Sequence, residues 1–219
     1  MTTFPGSPRL LKGGIVLLDA ASAAIKRIIV LQYNPDTLSR TLQVQGTGSD
    51  GGNRNEVLRL KGPPVETFKL DAEIDATDQL EFPDRNRSAV EVGIFPQLAA
   101  LELIVYPSSD QLLENNRLAQ SGTLEIAPME APLTLFVWSK QRVVPVRVTD
   151  FSITEEAFDP TLNPIRAKVS LGFRVLSVTD LGFNHRGSGL FIAYQQQKER
   201  LAALSYTGDL SALGLRRLP

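Results

Sequence analysis

The clearest pattern along the chain is the alternation in "VETFKLDAEID" (65–75), where Phe68, Leu70, Ala72 and Ile74 are interleaved with Thr67, Lys69, Asp71, Glu73 and Asp75. A helix would scatter these residues around its axis, whereas a strand puts the apolar ones on one face and the charged ones on the other. The same period runs through "IRAKVSLGFRVLSV" (165–178). There Ile165, Ala167, Val169, Leu171, Phe173 and Val175 face one way, and Arg166, Lys168, Ser170, Gly172 and Arg174 the other. Each pattern predicts a strand with one face on a core and one in water or against a polar partner. Less regular β-branched and aliphatic runs predict further strands at 14–19, 26–33, 37–46, 56–62, 133–138 and 142–158. "WSKQR" and "DPTLNP" (159–164) read as hairpin turns. The Gly-, Ser- and Asn-rich stretch 46–55 reads as a flexible loop.

The period changes in the middle of the chain. In 88–108, Val92, Phe95, Leu98, Leu101, Leu103 and Ile104 recur close to helical spacing, and Pro96 suits the first turn of a helix that begins near Phe95. Residues 108–118 read as a loop or a helical turn, and 119–132 as loop. After Asp180, "LGFNHRGSG" is linker-like. It leads to a moderately amphipathic helix over 190–206 whose apolar side is Leu190, Ile192, Ala193, Leu201 and Leu204. The expected organisation is a flexible arm (1–12), a mainly β domain (13–178) with one inserted helix, and a linker with a helical extension (179–219).

Composition narrows the function classes. With 23 Lys+Arg against 24 Asp+Glu, the net charge of −1 gives no electrostatic case for nucleic acid or an anionic membrane surface. Apolar runs are too short to span a bilayer, and Asp19 and Lys26-Arg27 interrupt the one stretch that resembles a leader. With no cysteine, disulfides and cysteine zinc sites are excluded.

Candidate chemistry is sparse. His185, the single histidine, sits in the linker-like stretch and reads as an exposed loop residue rather than a triad member. Asp71, Glu73 and Asp75 form a carboxylate row, as do Glu155, Glu156 and Asp159. Paired carboxylates serve glycoside hydrolysis, but the first row simply fills the outward positions of its strand. "GTGSDGG" lacks the Gly-Lys-Ser/Thr ending of a phosphate loop. The basic row Arg166, Lys168 and Arg174 is balanced by acidic rows and has little aromatic interleaving. The expectation is a protein that is not an enzyme and carries no cofactor or metal.

Three stretches together carry a resemblance. "IVLQYNPDTLSRTL" resembles the aliphatic strand, aromatic-Asn-Pro and following strand of the tube-like baseplate proteins of contractile injection systems. "KLDAEIDATD" is similar to the strand that comes next in that family. "APLTLFVWSKQRVVPVRVTDFSITEEAFDPTLNPIRAKVSLGFRVL" resembles its later block, in which a strand ending in Trp precedes a strand, an aromatic-Asp-Pro turn and "P-x-R-A-x-V". The likeness covers about residues 13–178. It implies a phage tail-tube-like β-sandwich or barrel flanked by a helix, assembling into sixfold rings that adapt the central spike to the inner tube. The implied partners are further copies of the chain, a spike or hub protein, the inner tube and other baseplate proteins, without nucleic acid or membrane insertion. The implied location is a phage-tail-like particle assembled in the bacterial cytoplasm. Many members carry a LysM domain after the tube-like part, whereas residues 179–219 are too short for one and read as a helical tail.

On this reading Tyr33, Asn34, Pro35 and Asp36 set a corner between the first long strands, and Phe158, Asp159 and Pro160 a second one before the last strand. Both are architectural. Lys69, Asp71, Glu73, Arg166, Lys168 and Arg174 are candidate interface residues on strands, and Leu190, Ile192, Leu201 and Leu204 on the C-terminal helix. Two other readings stand beside this one: a small-ligand or glycan-binding β-barrel module, and a carboxylate hydrolase acting through Asp71 or Glu73.

Overall fold

The computed structural model describes residues 10–19, 22, 24–46, 59–122, 131–205 and 208–217. The β-branched and alternating runs form seven strands: β1 (Gly14–Leu18), β2 (Ile25–Val30), β3 (Ser39–Gln43), β4 (Val65–Asp75), β5 (Leu133–Ser139), β6 (Arg142–Phe158) and β7 (Pro164–Val175). They build one antiparallel sheet in the order β2-β1-β5-β6-β7-β4-β3, so the fold is mainly β. Chain neighbours β2 and β3 lie at opposite edges of this sheet.

The sheet folds over on itself. Phe136 on β5 stacks on Phe173 of β7 at 5.2 Å and meets Phe68 of β4 at 5.5 Å, although these strands are not neighbours. Such contacts across two or three strands require a curled sheet with one interior. The residues facing inward on β4 and β7 share that interior with Ile15, Leu17, Phe136 and Val144 from the other half. Each large side chain buried there stabilises the fold by about 1.5–3 kcal/mol. β6 belongs to both halves: Arg142–Val146 pairs with β5, and Val146–Phe158 with β7, across register shifts near Val148 and Glu155. Such bulges bend a strand and raise its twist.

The strand and turn expectations hold over 65–75, 133–158 and 164–175, and Pro96 does sit in the first turn of a helix starting at Phe95. The single inserted helix needs correction. The segment after β4 contains α1 (Thr77–Leu80), a 3-10 turn (Pro83–Arg85), α2 (Arg87–Val92), α3 (Phe95–Glu102) and α4 (Ser109–Gln120). Gly93 breaks it at φ 56°, where a Cβ would stand 2.2 Å from the Pro164 carbonyl oxygen. Of the two readings for 108–118, a loop or a helical turn, the helical one holds and extends to a three-turn helix, because Ser108 and Gln111 form a capping box, each side chain accepting from the other's backbone N–H at 3.3 Å.

The linker-like stretch also needs correction. His185 caps the N-terminus of α5 (Arg186–Ala203), its Nδ1 accepting from the Gly187 N–H at 3.0 Å. Ser188 is fully buried and donates to the carbonyls of Leu181 and Gly182. His185 is therefore a partly buried capping residue, not an exposed loop residue. The apolar side expected for this helix is corrected too: Phe191 and Tyr194 are its buried large side chains, Leu190 is half-buried, and Leu204 is 82% exposed.

The predicted strand 56–62 has its first three residues outside the described residues, and Leu60 makes a single bridge to Gly46. The predicted loop 46–55 lies outside them beyond Gly46, and so do residues 1–9 of the arm and 123–130 of the loop-like stretch.

Candidate assembly surfaces

The outward face of β4 and β7 carries the polar rows. Register sets Asp75 opposite Arg166, Glu73 opposite Lys168, Asp71 opposite Ser170 and Lys69 opposite Gly172. Arg166 Nε bonds the Asp75 carboxylate at 2.7 Å, and Ser170 Oγ donates to Asp71 at 2.5 Å. Lys168 turns to Glu156 at 3.0 Å and Arg174 to Asp180 at 2.6 Å. Burial acts to raise the Asp75 carboxyl, but hydrogen bonds from Thr77 and Arg166 outweigh it and hold the group below its ordinary range. That suits a charged tie rather than a proton donor. The face opens into a 680 Å³ trough bordered by Ser39, Lys69, Asp71, Asp150 and Ser170. The Asp150 carboxylate folds over Gly172, where a Cβ would stand 2.5 Å from Oδ2.

The Tyr33–Asp36 stretch lies in the connection from β2 to β3, which runs between the two sheet edges rather than making a hairpin. Asn34 reaches back to the start of the chain: its side chain accepts from the Gly13 N–H and donates to the Leu11 carbonyl, both at 2.8 Å. Asp159, between Phe158 and Pro160, accepts from the backbone N–H groups of Thr161 and Asn163 at 2.8 Å. The Asn163 side chain is the largest of the influences that bring the Asp159 carboxyl down to about 2. Leu162 in this turn has φ 68°, a left-handed conformation that such side chains seldom adopt.

Two features went unread in the sequence. Glu66 on β4 is 2% exposed, accepts from Tyr194 Oη at 2.8 Å and pairs with Lys198 at 3.0 Å, with Arg40 at 3.8 Å. Burial, then the hydrogen bond to Glu66, pushes the Tyr194 phenol up to about 12. This buried carboxylate ties α5 to the sheet. Its signal was available, because Glu66 occupies the same phase as Phe68, Leu70, Ala72 and Ile74.

The second feature is the seam where the curled sheet fails to close. Among the described residues, β3 pairs with Val65–Lys69 only, so the Leu70–Asp75 half of β4 has no strand on that side, and β2 pairs with β1 alone. The Gln32 side-chain amide crosses the seam, donating to the Asp75 carbonyl at 2.6 Å and accepting from its N–H at 3.0 Å. α3 fills part of the gap with Leu98 and Leu101 in the core. A 340 Å³ groove remains between β2, β4 and α3.

Among the described residues no helix is long and apolar enough to cross a membrane, and no group of three or more His, Asp or Glu is placed to hold a metal ion. No protein-family model and no curated protein matches the chain. Among solved structures it is similar to a chain from the tail of an empty GTA particle, computed with helical refinement and C6 symmetry. The TM-score is 0.29 and the identity 11%, over 75% of this chain and 90% of that one. A likeness of that degree does not establish a shared fold.

Proposed function

We propose that the chain is a structural subunit of a phage-tail-like contractile injection system, a ring-forming baseplate component that adapts the central spike to the inner tube. The observation that carries this reading is the ordered set of three family-like stretches, which fall in turn on β2 to β3, on β4, and on β5 to β7. In support, among the described residues the sheet keeps two strand edges open, and open edges are hazardous in a monomer but useful where other chains join it. A ring uses heterologous contacts that close on themselves, and each contact should bury at least about 1,000 Å². On this reading the polar face of β4 and β7 lines a channel or meets a neighbouring sheet. The protein acts without catalysis, cofactor or nucleic acid, in a particle assembled in the bacterial cytoplasm with hub, tube and other baseplate proteins. Pro35 and Pro160 hold the architecture, and substituting either impairs folding or ring assembly.

The test is a C-terminal tag in the native host, with sheath-containing particles purified and the label imaged by electron microscopy. Label at one end, near the spike, supports the adaptor role, and label along the whole tube makes this the main tube protein. A monomer that never co-purifies with particles overturns the reading. That outcome favours a glycan-binding module, for which the hydroxyl- and carboxylate-lined trough beside Asp71 and Asp150 is the natural site.

A further inference from the structure

We infer that the seam along β2 is a docking groove for a single extended segment of another polypeptide, one with alternating aliphatic residues and a carboxylate placed at Arg27. The inference is independent of the assembly reading.

Four observations lead to it. First, among the described residues β2 has a free backbone edge. The Leu31 N–H bonds Gly13 on the β1 side, so by the alternation of strand geometry Ile28 and Val30 present their N–H and C=O groups away from β1. Ile25, Ile28 and Val30 are also 62%, 59% and 58% exposed, an aliphatic strip along the unpaired edge. Second, Gln32 already makes at one point the contact a strand residue would make, its amide giving one donor and one acceptor to the backbone of Asp75. The same alternation turns the backbone groups of Glu73 toward this side of β4. Third, Gln97 Oε1 on α3 is buried at this groove and has no hydrogen-bond partner among the described residues. A buried acceptor without a donor is costly, and an incoming N–H relieves it. Fourth, Arg27 borders both this groove and the neighbouring 440 Å³ one beside Tyr106, and it has no ion-pair partner among the described residues. Lys26 beside it is tied to Asp19 at 2.7 Å. Glu73 lines the first groove from the β4 side, so the guanidinium end is where a carboxylate is welcome.

These features select the occupant. An apolar groove bordered by unpaired strand backbone fits an extended chain, which gains main-chain hydrogen bonds from the edge and side-chain specificity from alternate pockets. β4 and α3 wall the groove on the side where a sheet would have to continue, so the β3 edge of a second copy, with β4 behind it, does not fit. Residues 1–9 carry two prolines and no acidic residue, which suits neither the ladder nor Arg27, whereas 123–130 has Glu125 between Leu124 and Ile126 and is the own-chain occupant the test must exclude.

The probe is a fluorescein-labelled synthetic peptide of alternating valine and threonine with one central glutamate, titrated against the full chain by anisotropy. Expected are saturable binding, slowed hydrogen exchange at Ile28 and Val30, and loss of binding when alternate peptide amides are N-methylated. Replacing the central glutamate by lysine weakens binding about tenfold, and Arg27→Glu, at an exposed position, reverses that preference. Four results overturn the inference: no binding, binding indifferent to N-methylation and to the charge at residue 27, concentration-dependent protection of β2 without peptide, which would make a second copy the occupant, or concentration-independent protection of β2 without peptide, which would make residues 123–130 of the same chain the occupant. The titration uses unassembled protein, so its outcome does not depend on whether the chain enters particles.

Discussion

The two sides of the sheet are finished to different degrees. Around β4 and β7, most charged residues find a partner inside the chain: Arg166 with Asp75, Lys168 with Glu156, Arg174 with Asp180. Around β2, backbone and aliphatic side chains stay open, and one glutamine bridges the seam. Exposed pairs of the first kind add little stability, with a median of about 0–1 kcal/mol, so their value lies in fixing register and surface shape. An open edge has the opposite character. It gives up pairing in the isolated chain and keeps it available for a partner. Charge alone would have pointed to the wrong side, since the conspicuous rows are the ones already satisfied.

Removing what both sides share is the largest perturbation. Phe136→Ala takes away the ring that touches Phe68, Phe173 and Trp138, and should cost about 3–5 kcal/mol in denaturant unfolding. A single cooperative transition in the variant would mean the two halves still unfold together, and two transitions would break the picture of one interior. Glu66→Ala comes next, at about 3 kcal/mol, because it leaves Tyr194 and Lys198 facing an emptied site. Limited proteolysis should then cut first within α5. Gln32→Ala tests the seam itself and should cost about 1 kcal/mol, with faster hydrogen exchange at Asp75 and no change at Ser170. An equal change at both would mean that Gln32 does not act locally.

Two pH effects are smaller and differ in sign. The Tyr194 phenol is raised from 10 to about 12 in the folded state. Its contribution is therefore complete below pH 10 and fades as pH climbs through about 12. Tyr194→Phe should flatten that part of the alkaline stability profile. The Asp159 carboxyl is lowered from 3.8 to about 2, so its contribution is present above pH 3.8 and fades as pH falls through about 2. Asp159→Asn should remove that acid-limb slope, and an unchanged slope would show that the carboxyl titrates alike in the folded and unfolded chain.

What was legible in the sequence is local. Alternation over 65–75 identified β4 because a strand that is half buried must repeat every second residue. "SDQLLENNRLAQ" was ambiguous because its apolar residues are few, and polar capping by Ser108 and Gln111 starts the helix instead. Gly93 broke the helical spacing read over 88–108 through its contact with Pro164, and Asn86 ties the unread short helices before it to Gln79 and Phe82, contacts that no local pattern reveals. The docked side of α5 was misjudged because Tyr194 and Lys198 answer to Glu66, a partner distant in the chain. The seam was invisible for the same reason: adjacency of β2 to β1 alone, and of β4 to β7, follows from strand order and not from any single strand.

Strand order also governs how quickly this protein reaches its native state. β5, β6 and β7 meet through short turns, whereas β1 must find β5, and β4 must find β7, from distant parts of the chain. Closing such loops costs entropy before contacts return it, so sheets dominated by non-local pairs fold slowly. The meander from Leu133 to Val175 is therefore the expected nucleus, with high φ-values at Val144 and Val169 and low ones at Ile15. During the wait the β4 and β1 edges of that nucleus stand bare, which makes the nascent chain most prone to aggregate before its N-terminal strands have docked.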